Sequence, residues 1–172
     1  ARRYTLTLTQ TLAPTAYEAR LRDAGLPVDD GPLHMPVAVG LVLPDGSDAF
    51  LEQTKVLSLT ELRQSFVFED VPAAPVASLL RDFSAPVHLD FEQTDHELAH
   101  LMAHDSDAFN RWEAGQRLAT RVLLAGIAAK NKEDWIPASF VAACARVLEA
   151  GLRGGRDSAA LAAESLTLPA EQ

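Results

Sequence analysis

The residues with most chemical potential lie between Thr94 and Ala103. His96, Glu97 and His100 spell H-E-x-x-H. On a helix this spacing sets two imidazoles on one face as zinc ligands, with the glutamate as general base of a metal-assisted hydrolysis. A catalytic zinc needs three protein ligands and a water. A third histidine six residues beyond the second would fall at Ser106. A glutamate roughly nineteen residues on would fall at Ala119. Glu97 also has a simpler role: Thr94-x-x-Glu97 is a capping box, with Thr94 as N-cap and Glu97 at N3. Leu98, Leu101 and Met102 form one stripe of this helix, and His96, His100 and His104 another about 150° away. The histidine stripe is therefore expected to face solvent. We expect no catalytic, cofactor-binding or metal-ligating residue in this chain, and no cofactor held by it.

Other chemistry is sparse. Asp105 and Asp107 flank a helix start, where acids suit the dipole. Ser84 and Ser106 lack a G-x-S-x-G context. Cys144 falls on an apolar stripe with nothing nearby to lower its pKa, and reads as a small buried hydrophobe. Gly154-Gly155 lacks the Lys-Ser/Thr of a phosphate loop. Trp112 lies on a core stripe.

The elements that must position these residues divide near residue 93. Thr, Val and Pro with period-two patterns come before it, and Ala, Leu, Arg and Glu with helical spacing after it. We expect an all-β, immunoglobulin-like antiparallel sandwich over residues 1–93. Residues 94–172 are expected to be all-α, the start of a helical-repeat or bundle domain. Strands are expected at Arg3–Leu12, His34–Leu43, Ala49–Leu51, Lys55–Leu59, Gln64–Glu69, Leu79–Phe83 and Val87–Phe91. In the second, Val37, Val39 and Leu41 share a face. The connection from Ala13 to Leu33 reads as a loose loop with a helical turn over Tyr17–Arg22. The first helix follows Thr94 and ends near His104. A second runs from Ser106 or Asp107 to about Lys130, with Phe109, Trp112, Ala119, Leu123 and Ile127 as its core stripe. The third takes Pro137 at N1, sets Phe140, Val141, Cys144, Val147 and Leu148 on one side, and stops at Gly151. Asp157 caps a fourth, to about Leu166.

Bulk properties narrow the function. The chain has 172 residues, 48% hydrophobic, enough for a packed core. A net charge of −9 argues against a nucleic-acid partner. A single cysteine excludes an intrachain disulfide and fits a reducing, cytoplasmic compartment. Val122 to Ala129 is too short an apolar run to span a bilayer, and Ala1-Arg2-Arg3 does not open a signal peptide. The missing initiator methionine points to a processed or excised piece.

Two long motifs carry a family resemblance. The first is Gln64-Ser-Phe-Val-Phe-Glu-Asp-Val-Pro72 followed by Pro75-Val-Ala-Ser-Leu-Leu-Arg-Asp-Phe-Ser-Ala-Pro-Val87. The second is Ala103-His-Asp-Ser-Asp-Ala-Phe-Asn-Arg-Trp-Glu-Ala-Gly-Gln-Arg-Leu-Ala-Thr120. With Arg3-Tyr-Thr-Leu-Thr-Leu8 and Pro32-Leu-His-Met-Pro36, the chain resembles, nearly end to end, the bacterial aminopeptidase N family, alanyl aminopeptidases of the gluzincin class. The resemblance implies a noncatalytic piece of a zinc enzyme that removes N-terminal residues from peptides. It implies a sandwich that is a spacer and the first helices of the domain enclosing the active site. Zinc and substrate-binding motifs would lie in the catalytic domain of the same parent chain, its principal partner. The connection from Ala13 to Gly31 is longer than is usual there. Two other readings stay open, a free-standing sandwich scaffold and a minimal zinc hydrolase using His96, Glu97 and His100. Helix stripes left without partners would form an apolar patch through which the isolated chain self-associates.

Overall fold

The computed structural model describes residues 2–28, 31–128 and 135–169. Five strands form two antiparallel sheets: β1 (Arg2–Thr9) pairs with β4 (Arg63–Val71), and β2 (Met35–Val42) lies between β3 (Lys55–Leu59) and β5 (Val76–Leu79). The sheets enclose Leu6, Val37, Val39, Leu41, Leu59, Phe68 and Leu79. Alternation drives this side choice, since successive strand residues point to opposite faces. In β4, Phe68 is buried while Val67 faces out.

Three of the seven expected strands are absent. Asp48 makes only an isolated bridge to Val42, so no strand forms over Ala49–Leu51. Val87–Phe91 has no strand pairing, and Leu79–Phe83 leaves β5 at once. There Leu80, Asp82 and Phe83 have φ of 58°, 55° and 51°. Left-handed backbone is uncommon for residues with a Cβ, and this run coils the chain so that Arg81 turns inward. The long connection holds a complete helix, α1 (Ala16–Asp23), closed by its own Thr15–Glu18 capping box and burying no residue.

Helices follow: α2 (Asp95–His104), α3 (Ala108–Ala128), α4 (Ala138–Arg153) and α5 (Arg156–Ser165). The expected end of α3 near Lys130 lies outside the described residues. The Thr94 hydroxyl accepts from the Glu97 amide at 3.2 Å, and the Glu97 carboxylate accepts from the Thr94 amide at 2.7 Å. Thr94→Ala removes this cap and is expected to cost about 1 kcal/mol. A denaturant midpoint unchanged within error would show that the box contributes nothing.

The helical core gathers Leu98, Leu101, Met102, Leu118, Val122 and Val147, and Val42 joins it from the outer face of β2. The central strand thus has two buried faces, one for each half of the chain. The buried line of α3 is Asn110, Ala114, Gly115, Leu118, Ala119 and Val122, which shares only Ala119 with the expected stripe. Ile127 is 82% exposed, and Phe109, Trp112 and Leu123 are half-buried. Small side chains allow the close approach, and Met102 packs directly over Gly115. In α4, Val147 and Ala143 are buried, whereas Val141 and Leu148 are exposed. Gly151 continues that helix instead of ending it. A Cβ there would lie 2.5 Å from the Ala162 Cβ, so glycine lets α5 pack against α4. Pro137 is the N-cap rather than N1, and Gly155 rather than Asp157 caps α5.

Candidate functional site

The H-E-x-x-H residues lie on α2 as the spacing requires, but they do not converge on a metal. Glu97 is held by the cap. His96 is exposed. His100 is half-buried, with Nε2 2.8 Å from the Leu43 carbonyl oxygen. His104 stacks on it at a centroid distance of 4.8 Å and packs against Gly46, whose φ is 88°. The expectation of a solvated histidine stripe therefore holds for His96 alone. Its failure has a physical cause: α2 is covered on two sides, by α3 and α4 on the leucine face and by the turn after β2 on the histidine face. Among the described residues, no three His, Cys, Asp or Glu side chains are grouped to hold a metal ion. With Glu97 committed to the cap and His100 to a backbone carbonyl, this stretch does not fit a catalytic zinc.

The histidine pair has a consequence for stability. Burial, then the charge of Arg146, then that of His100 push the His104 pKa below its ordinary 6.5, against the weaker pull of Asp45. As pH falls through 6.5, the unfolded chain takes up a proton that the folded chain refuses. Stability should therefore decline with acidification from pH 6.5 down to the depressed folded value. Urea midpoints at neutral and mildly acidic pH check this. His104→Gln should flatten the difference, and an unchanged slope would contradict the account.

The most elaborate polar constellation lies elsewhere, between the two halves. Arg81 is 1% exposed. Its Nη2 donates to Asp48 Oδ1 at 3.0 Å and to Asp105 Oδ1 at 2.8 Å. Nη1 donates to the Gln53 carbonyl at 2.8 Å, and Nε to the Ser78 hydroxyl at 3.0 Å. The guanidinium lies flat over Gly40, where a Cβ would sit 1.9 Å from Cζ. Asn110 Nδ2 also donates to Ser78 Oγ, at 2.8 Å, and to the Leu79 carbonyl, at 2.9 Å. One arginine thus joins β5, the loop before β3 and the end of α2.

Asp105 is fully buried, with one carboxylate oxygen lacking a hydrogen-bond partner. Burial pushes its carboxyl above the usual range, and the nearby Ser78 hydroxyl and Arg81 guanidinium pull the other way. At the start of α3, Asp107 Oδ1 accepts from the Asn110 amide at 2.8 Å and Asp105 Oδ1 from the Asp107 amide at 3.0 Å. Asp105 is also the counter-ion of Arg81. The signal for it is an arginine directly after the apolar pair Leu79-Leu80. A charge there must find a partner or leave the core.

Hydrogen bonding from Arg81, Ser78 and Asn110 carries no nucleophile and no general base open to a substrate. It fixes geometry. Arg117 adds to it, donating to Gln93 Oε1 at 2.9 Å and to the Phe91 carbonyl at 3.0 Å. Cys144 is half-buried, and burial pushes its thiol up, away from reactivity.

Comparison with known proteins places this arrangement in context. A family model described as a domain of unknown function, DUF3458, with an Ig-like fold, matches residues 1–92. A second, DUF3458_C, described as ARM repeats, matches residues 95–172. Aminopeptidase N of Escherichia coli (strain K12) is 34% identical over 171 residues, 96% of this chain and 18% of that protein. Aminopeptidase N of Haemophilus influenzae is 33% identical over 125 residues, 70% of this chain and 13% of that protein. The crystal structure of Legionella pneumophila aminopeptidase A in complex with aspartic acid superposes with a TM-score of 0.69 at 25% identity, over 98% of this chain and 17% of that one. The chain thus spans less than a fifth of the length of each.

Proposed function

This chain belongs to the DUF3458 family, by the match over residues 1–92, and from that premise we propose that it is a noncatalytic segment of a zinc-dependent aminopeptidase. The longer protein removes N-terminal amino acids from peptides. Its zinc and general base belong to a catalytic domain elsewhere in the same polypeptide, which works in the cytoplasm. Residues 1–93 are the sandwich domain, a spacer beneath the catalytic domain. Residues 94–172 are the first helices of the domain that encloses the active site. The observation that supports this reading is the extent of the match, nearly all of this chain against 18% of an aminopeptidase.

The polar hub gives the segment a mechanical role. A spacer that also holds a covering domain must fix the angle between the two. Arg81 does so by tying the coil after β5 to the end of α2 through Asp105. Exposed Leu124 and Ile127 on α3 and Val141, Leu148 and Leu152 on α4 offer apolar surface to further helices of the longer chain or, in isolation, to a second copy. Among the described residues, no helix is long and apolar enough to cross a membrane.

Aminoacyl reporter hydrolysis tests the reading. The full-length gene product should cleave such substrates and residues 1–172 alone should not. Cleavage by the segment alone, or none by the full-length product, would overturn it.

A further inference from the structure

Between β1 and residues 85–91 runs a cleft of about 740 Å3. Its two walls have an unusual composition. One is formed by consecutive residues 6–13 and the other by consecutive residues 85–91. Successive residues of a strand point to opposite faces, so the part of the wall that uses all of residues 6–9 of β1 is a backbone edge, not a face. The floor is sandwich core, including Met35, Val37, Leu59 and Leu79. Leu12, Leu33, Val87 and Leu89 stand exposed around it.

Among the described residues, neither wall has a main-chain partner across the cleft. Among the described residues β1 pairs with β4 alone. On the opposite wall, the Val87 amide donates only locally to Ala85 at 3.0 Å, and the Phe91 carbonyl is taken by Arg117. By contrast, the outer side of β5 is covered, with Leu79 and Ala77 carbonyls accepting from Asn110 and Gln93. An open strand edge over exposed core is a template for another strand.

Size narrows the occupant. With a rise of about 3.3 Å, a strand spacing of about 4.8 Å and a sheet thickness of about 10 Å, a strand residue fills about 160 Å3. The cleft therefore holds about five residues of one extended strand. A second copy offering its own β1 would bring β4 alongside as well, two strands where the volume matches one short one.

We propose that this cleft is a strand slot, filled by one extended segment with apolar residues at alternate positions, supplied by the longer polypeptide from outside residues 1–172. The inference rests on the reading that a longer polypeptide exists. Main-chain hydrogen bonds to β1 hold the segment, and its inward side chains close the core above Met35 and Val37. The sandwich then gains in the longer chain a strand that these residues do not themselves contain.

Residue-resolved amide hydrogen exchange on residues 1–172 and on the full-length gene product tests this. Amides of β1 that face β4 should be protected in both and provide the reference. Amides of β1 that face the cleft, and those of residues 88–90, should exchange about tenfold or more slowly in the full-length product. Equal exchange in the two species would overturn the proposal. So would protection that appears in residues 1–172 only at high concentration, since a second copy would then fill the slot. A gene encoding nothing beyond these residues would overturn it too, for want of a donor. A full-length product without peptidase activity would instead sink the functional reading and leave the exchange comparison standing.

Discussion

Arg81→Met should lower the unfolding free energy by about 3–5 kcal/mol, because it leaves Asp105 as an unpaired charge in the core. That is a large share of the roughly 5–15 kcal/mol that holds a typical domain. Replacing both partners of a buried pair costs far less than removing one, so Asp105→Asn in the Arg81→Met background should recover part of the loss. The loss should also shrink on acidification. Without the guanidinium, the folded-state carboxyl binds its proton at a still higher pH than the unfolded chain does. The variant is then relatively stabilised as pH falls towards the ordinary carboxylate range. Denaturant titrations at neutral and acidic pH measure both effects. A loss below about 1 kcal/mol, within the range of an exposed ion pair, would show that the hub is not what joins the two halves.

Gly40→Ala should be nearly as damaging, for a reason that no inspection of β2 alone reveals. The new methyl group would stand 1.9 Å from the Arg81 Cζ. The tip of a free arginine would swing aside cheaply, but this one is bound to Asp48, Asp105, Gln53 and Ser78. Moving it breaks those bonds and orphans Asp105. Once Arg81 is already gone, the methyl has no guanidinium to displace. A double-mutant cycle should therefore give a coupling of about 2–3 kcal/mol between the two positions. Additive losses would mean that the alanine is accommodated by backbone movement and that the hub tolerates displacement.

These two residues mark where sequence reasoning stopped. What depended on neighbours in the chain was legible. The Thr94–Glu97 box is an i, i+3 relation, and the alternation of Val37, Val39 and Leu41 is an i, i+2 relation; each appears as the spacing requires. The carboxylate partners of Arg81 lie 33 and 24 residues away, and nothing in its immediate neighbours announces them. Nor does a propensity argument expect three left-handed residues in Leu80–Phe83, which the surrounding contacts impose. The α3 error had another origin. The spacing of large side chains points to a different face of α3, because Ala114 and Gly115 are buried for being small enough for α2 to approach. His100 departs from the expected solvated stripe because a helix packed between two layers has two covered sides, and its apolar stripe shows only one.

The account holds that this segment contributes architecture and that the H-E-x-x-H stretch is a helix cap beside a packed histidine pair. Zinc content of residues 1–172, after chelator washing and reloading with the metal, tests that most directly. Substoichiometric zinc, unchanged by His100→Ala, is the expected result. One tightly held zinc per chain, lost in His100→Ala, would contradict it.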